Sequence, residues 1–195
     1  SDIKIVFLSH LDQNLFRFRL PIMLELVHMG FSVYALTPKG DFSRKFHDLG
    51  IVHVPYSVTR KSLNIFRELK TVFELIQILR SLRPTLLHTF VAKPNIYGTI
   101  AGKLAGVPAI INNVTGLGSY YIENDFKTRI IRSFINGLYR IVFHLSDHVI
   151  FQNSDDWMEF RDKGICRKHN SSVIRGSGID TGTFRPESIG RERLT

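Results

Sequence analysis

A turn of small residues, Gly176-Ser177-Gly178, follows the short apolar run Val173-Ile174. Glycines there let backbone come close to a ligand, and Ser177 adds a hydroxyl. The same three residues would equally serve as a tight turn after an edge strand. Near the other end, Asn14 and Arg17 stand close to an expected helix start, with Arg19 two residues on. A guanidinium beside a helix N-terminus can hold phosphate oxygens, although one of the two arginines could simply be solvated. Lys93, Pro94 and Asn95 lie between an expected strand and an expected helix. Pro94 fits a first helical turn, where its missing N–H costs nothing, and Lys93 with the free amides makes a small anion trap. His88, which closes that strand, reads either as a general base or as a core histidine bonded to backbone. Thr115, Gly116 and Gly118 form a turn able to hold a sugar or phosphate oxygen through N–H groups. These ten residues (Asn14, Arg17, Lys93, Asn95, Thr115, Gly116, Gly118, Gly176, Ser177 and Gly178) are the candidate substrate-binding set. No catalytic residue and no metal site is assigned.

The elements that must position them follow from the apolar pattern. Short β-branched and apolar runs at 3–8, 31–36, 51–54, 85–88, 109–112, 148–152 and 173–174 read as seven strands. Helical segments fall between them. The first runs from Leu15 or Phe18 to Met29, with Pro21 in its first turn. The second is capped by Asp41 and runs to Leu49. Three more cover 63–83, 95–105 and 125–145, and a short one capped by Ser154 reaches Lys163. Strand and helix alternate without a hairpin signal. That order predicts an α/β fold, a doubly wound, mainly parallel, Rossmann-like sheet. Ligands of such sheets sit outside the carboxyl ends of the strands, where all the candidate residues fall. Gly190 to Thr195 reads as the opening of another helix, so 1–187 is expected to be one domain and 188–195 the start of an interdomain segment.

At 195 residues with 44% apolar content, the chain can bury a real core and is not of the disordered class. The formal charge is +9, which favours an anionic partner. Between Glu74 and Asp147 eight bases face only two acids, Glu123 and Asp125. The helix at 125–145 carries Lys127, Arg129, Arg132 and Arg140 around a broad apolar face, so an outer edge of it is expected to rest on an anionic membrane surface. No run of about 18 apolar residues suggests a membrane span. One cysteine, Cys166, permits no internal disulfide and makes a reducing compartment the default. The chain enters its first strand at once, so no signal peptide is expected. Neither G-x-G-x-x-G nor a Walker pattern follows the first strand. A non-catalytic nucleotide- or nucleic-acid-binding module of Rossmann type remains the alternative, without a helix-turn-helix or RNA-binding signature to support it.

Five segments in order carry a resemblance: Asn14, Phe16, Arg17, Leu20 and Pro21; Lys93-Pro94-Asn95-Ile96-Tyr97-Gly98; Val114-Thr115-Gly116-Leu117-Gly118; Val149 to Asp156; and Gly176 to Asp180 followed by Phe184-Arg185-Pro186. Together they resemble the amino-terminal half of a family 4 glycosyltransferase of GT-B type, in the bacterial polysaccharide and lipid-linked oligosaccharide branch. The resemblance implies a two-domain enzyme with its cleft between two α/β domains. This half would supply the acceptor side, and a carboxyl-terminal domain would hold most of the nucleotide-sugar site. It implies a nucleotide sugar, usually a UDP-sugar, as co-substrate, with no bound cofactor or metal. It further implies a hexose or N-acetylhexosamine transferred with retention to a lipid-linked or saccharide acceptor, at the cytoplasmic face of the membrane, and no nucleic-acid partner. Two departures stand out. The first loop, Ser9 to Asn14, lacks the family's glycines, and Phe90 occupies the position where many members carry a catalytic histidine.

Overall fold

Leu8, Leu36, Leu87 and Ile110 come from four different strands, yet all are fully buried on one face of a single sheet. A computed structural model describes residues 2–58, 64–117, 121 and 125–178, with Lys127 described in its backbone only. The sheet has seven strands: β1 (Lys4–Leu8), β2 (Ser32–Thr37), β3 (Val52–Pro55), β4 (Leu86–Phe90), β5 (Ala109–Val114), β6 (His148–Phe151) and β7 (Ser171–Val173). Every pairing is parallel, and the order is β3-β2-β1-β4-β5-β6-β7. The sequence-based expectation of a doubly wound parallel sheet is met.

Two helical layers cover it. α1 (Asp12–Phe18), α2 (Leu20–His28) and α3 (Ser43–His47) bury Leu15, Met23 and Phe46 against Ile5, Phe7, Val33 and Phe90. α4 (Ile65–Leu82), α5 (Ala92–Ala105), α6 (Phe126–Leu145) and α7 (Ser154–Asp162) cover the opposite face. Strand residues alternate between the layers, so Leu87 faces one way while His88 and Phe90 face the other.

Several boundaries differ from those expected. The first helix begins at Asp12 rather than Leu15 or Phe18, and it is two helices with Arg19 at the corner. Asp12 is buried there. It accepts from the Gln13 and Phe42 amides at 2.7 and 2.8 Å, so the carboxylate satisfies amides of two loops. Pro21 lies in the first turn of α2, as its missing N–H requires. Asp41 caps nothing; α3 starts after Phe42, and Ser43 Oγ accepts from the Gly40 amide at 2.8 Å. Asn153, not Ser154, caps α7 by accepting from the Asp156 amide. β4 and β5 run two residues further than expected. α5 starts at Ala92, so Lys93, Pro94 and Asn95 lie inside its first turn and not on a loop. The expected domain boundary at 187/188, the Phe184-Arg185-Pro186 segment and the helix opening at 190–195 lie outside the described residues.

Candidate functional site

In this strand order the chain leaves β1 towards β2 on one side and leaves β4 towards β5 on the other. The loops after β1 and β4 therefore diverge, which opens a crevice at the carboxyl edge of the sheet. A cavity of about 330 Å³ lies there, lined among others by Phe18, Arg19, Ile22, His88, Phe90, Asn113 and the segment from Ile174 to Gly178.

Each polar lining group is placed by a simple local cause. Arg19 is the residue between α1 and α2, where Pro21 prevents one continuous helix. The corner turns its side chain into the crevice, and the residue is only 6% exposed. The guanidinium lies over the Phe90 ring at 4.7 Å from its centre. It donates to Ser177 Oγ. With the Gln152 amide oxygen turned towards it, it also donates there at 2.7 and 3.1 Å. Burial pushes its pKa down to about 10, so it stays charged at neutral pH. Its Nε has no partner.

His88 and Phe90 share a face of β4, and Phe90 is paired in register with Asn113 of β5. His88 is buried, and its pKa is pushed down to about 3, first by burial and then by Arg19. It is neutral at physiological pH, with Nε2 unpartnered. Asn113 Oδ1 is likewise buried and unpartnered. Gly176 and Gly178 have φ of 67° and 74°, the left-handed region that glycine enters without strain, and they hold Ser177 out towards Arg19. Val91, between β4 and α5, has φ of 69°, a costly conformation for a β-branched residue, at the same edge.

The ten candidate residues do not all meet at this crevice. Gly176, Ser177 and Gly178 line it. Arg17 does not; it is exposed and lies over the Phe42 ring at 5.7 Å. Asn14 is half-buried on α1 with Oδ1 unpartnered. Lys93 is ion-paired with Glu68 at 2.8 Å. Asn95 is fully buried: Thr89 Oγ1 donates to its Oδ1 at 2.7 Å, and its Nδ2 donates to the Asn113 carbonyl at 3.1 Å. Its amide serves the scaffold. Thr115 and Gly116 follow β5 at the edge, half-buried and exposed; Gly118 lies outside the described residues. Of the basic residues expected at a membrane, Arg129 is exposed on α6. Arg132 lies over the Tyr121 ring, and Arg140 donates to the Lys163 and Gly164 carbonyls at 2.7 and 3.2 Å. Arg140 therefore caps the end of α7. The side chain of Lys127 is outside the described residues.

Arg19, His88 and Asn113 line the crevice and Gln152 bonds to Arg19 and Ser177 beside it, but none of the four was in the sequence-derived set. His88 and Arg19 carried a sequence signal, as a strand-end histidine and a base beside the first helix, and Gln152 lay in the Val149-to-Asp156 segment of the family resemblance; Asn113 carried none.

The family described as "Glycosyl transferase 4-like" matches residues 4–153. The chain belongs to that family. Within it, the chain is 33% identical over 190 residues to an N,N'-diacetylbacillosaminyl-diphospho-undecaprenol alpha-1,3-N-acetylgalactosaminyltransferase of Campylobacter jejuni, covering 97% of this chain and 50% of that protein. It is 30% identical over 132 residues to a UDP-Gal:alpha-D-GlcNAc-diphosphoundecaprenol alpha-1,3-galactosyltransferase of Escherichia coli, covering 65% of this chain and 31% of that one. The chain thus spans half or less of the length of these curated relatives. A solved glycosyltransferase of Rickettsia africae superposes with a TM-score of 0.67 at 18% identity, over 98% of this chain and 47% of that one. That likeness is of fold, and it places the glycosyl transferase 4-like chain on the amino-terminal half of a GT-B architecture.

Proposed function

We propose that this chain is the acceptor-side half of a glycosyltransferase. The enzyme moves a hexose or N-acetylhexosamine from a nucleotide sugar, UDP-linked, to a sugar carried on a lipid diphosphate. The observation that carries the reading is the crevice: a cavity at the switch point of a family 4 fold with three buried polar atoms, Arg19 Nε, His88 Nε2 and Asn113 Oδ1, left without partners. A scaffold normally pairs such atoms, so three unpaired ones in residues that wall one cavity mark it as the candidate site for a polar ligand. The names of the two relatives support the substrate class, since both act on diphosphoundecaprenol-linked sugars, and one of them uses UDP-Gal.

In the transfer an acceptor hydroxyl forms a bond to the anomeric carbon while the bond to the nucleotide diphosphate breaks and the hydroxyl proton is released. The part of this chain is to bind and orient the acceptor sugar beside the strand ends, and the donor is held by the carboxyl-terminal domain of the longer polypeptide. Work on a lipid-linked acceptor suits a protein resting on the inner face of the cytoplasmic membrane. α6 supports that placement: its outer ridge exposes Phe126, Ile130, Phe134 and Ile141 beside Arg129. Among the described residues no helix is long and apolar enough to cross a membrane.

The test is transfer by the full-length protein from a panel of UDP-sugars to undecaprenyl-diphosphate-linked mono- and disaccharides, read as released UDP. The expected result is turnover with at least one pair and negligible turnover by residues 1–195 alone. No UDP release from any pair, or robust transfer by residues 1–195, overturns the proposal.

A further inference from the structure

We propose that in water a second copy of this chain covers the outer face of α6, as an antiparallel helix pair about a two-fold axis. This pairing is independent of the transferase reading and of the crevice.

Six positions of α6 carry it: Phe126, Ile130, Phe134, Gly137, Ile141 and Leu145. Steps of three or four residues keep them in one stripe along the helix. The five side chains among them are 43–77% exposed. A different face, with Tyr139, Val142 and Phe143, fills the core, so the stripe is not what holds α6 on the sheet.

The stripe is symmetric about its own midpoint. The middle of α6 falls between Ile135 and Asn136. Phe134 and Gly137 stand equally far from it, as do Ile130 and Ile141, and Phe126 and Leu145. When a helix packs antiparallel on its own copy across a two-fold axis through that midpoint, residues equidistant from it fall in the same layer. Phe134 then lies beside Gly137 of the second copy, a large ring against a position without a side chain, and the axis repeats that contact. Ile130 meets Ile141, and Phe126 meets Leu145. The stripe is thus complementary to itself.

Gly137 has no explanation within one copy. A Cβ there would meet nothing within 4 Å, so packing on the sheet does not require glycine. Glycine also weakens a helix interior relative to alanine. A ring arriving from a second copy needs that space. An anionic headgroup layer, the other cover available to this ridge, is a continuous medium and needs neither the glycine nor the symmetric spacing. The area is enough for a weak pair: two phenylalanines and three aliphatic side chains at these exposures offer on the order of 600 Å² per copy, about 1,200 Å² in all, the low end of stable interfaces. Like charge weakens it further, because α6 carries bases and no acid. A membrane would take the place of the second copy, since both cover the same ridge.

The experiment is sedimentation velocity of the full-length protein, with thermal unfolding to confirm that each variant folds. The expected result is a reversible monomer–dimer equilibrium with a dissociation constant of about 1–100 µM. Gly137→Phe sets ring against ring and is expected to weaken the dimer about tenfold or more. Its binding to phosphatidylglycerol vesicles should hold or rise, because the apolar ridge has grown. Combining Gly137→Phe with Phe134→Ala sets large against small again and should restore most of the lost affinity. If Gly137→Phe does not fold, a mixture of Ile130→Cys and Ile141→Cys proteins decides. The two should cross-link to each other faster than either does to itself, since like positions lie about 16 Å apart along the pair. A protein monomeric at about 100 µM that still binds vesicles leaves the ridge to the membrane alone and overturns the proposal. So does a dimer that Gly137→Phe leaves unchanged, a double variant without rescue, or equal cross-linking in the mixture and in each protein alone.

Discussion

His88 shows how burial, helped by a neighbouring cation, sets the state of a side chain in the crevice wall. Its pKa drops from 6.5 to about 3 because the imidazole lies inside the crevice wall beside the Arg19 cation. The unfolded chain takes a proton on this residue below pH 6.5, and the folded chain does not until near pH 3. The unfolded state therefore binds more protons within that window. Stability is full above it and falls as the pH drops through it. Urea midpoints at pH 7 and pH 4.5 should show a smaller acid loss in His88→Asn than in the wild type; equal losses would contradict the assignment. The same scale explains why Arg17 rather than Arg19 stood out in the sequence. Arg17 lies on α1 and points to solvent, while Arg19 lies at the break between α1 and α2, where the corner turns its side chain into the crevice. Which of the two faces the crevice depends on where the helix starts and breaks. Asp12 opens α1 earlier than the apolar pattern indicates, because its carboxylate is held by the Phe42 amide 30 residues away.

Among the elements, α5 carries the most information per residue. Its Lys93-to-Gly98 segment looks like a binding signature in sequence, but the structure uses much of it for packing. A Cβ on Gly98 would come within 2.5 Å of Leu8 Cδ2 and 2.8 Å of Thr89 Cγ2, so the helix can touch the sheet only with glycine there. Asn95, Thr89, Asn112 and Thr99 form a buried hydrogen-bonded set behind it, with contacts of 2.7 to 2.9 Å. Gly98→Val should cost on the order of 1–3 kcal/mol by overpacking, read from urea unfolding. A cost within about 0.5 kcal/mol, the range of an ordinary surface change, would show that the helix can shift freely. The strand alternation was legible from sequence. The extra length of β4 and β5 was not, since Thr89 and Asn113 are polar; Thr89 is held in its strand with α5 supplying its partner, Asn95.

On the scale of the whole molecule, the charge of +9 has a physical counterpart in two outward ridges. α6 exposes Phe126, Ile130 and Phe134. α4, two helices away on the same face of the sheet, exposes Phe66, Leu69 and Phe73 beside Arg67 and Lys70. Both helices begin at the carboxyl edge of the sheet, on the face opposite His88 and Phe90. Contact with anionic headgroups adds about 1 kcal/mol per base, and each buried aromatic adds its transfer energy. The full-length protein should sediment with phosphatidylglycerol vesicles in a salt-sensitive way, and a Phe126→Ser, Phe134→Ser double variant should sediment less. Sedimentation equal to the wild type would rule out α6 as the contact. Arg140 is not expected to contribute, because its guanidinium is spent on the end of α7.

The sequence by itself determined the alternation of strands and helices, the parallel doubly wound class, and the placement of Gly176-Ser177-Gly178 at a strand end. These follow from apolar period and from turn residues, which act over a few neighbours. It also carried the family, through short segments in order. Only the tertiary structure joined Arg19 to Ser177, 158 residues later, and set His88, Phe90 and Asn113 around them. The reason is that a crevice is made where strand order reverses. Strand order is decided by which faces bury each other across the whole chain, and no local pattern encodes that.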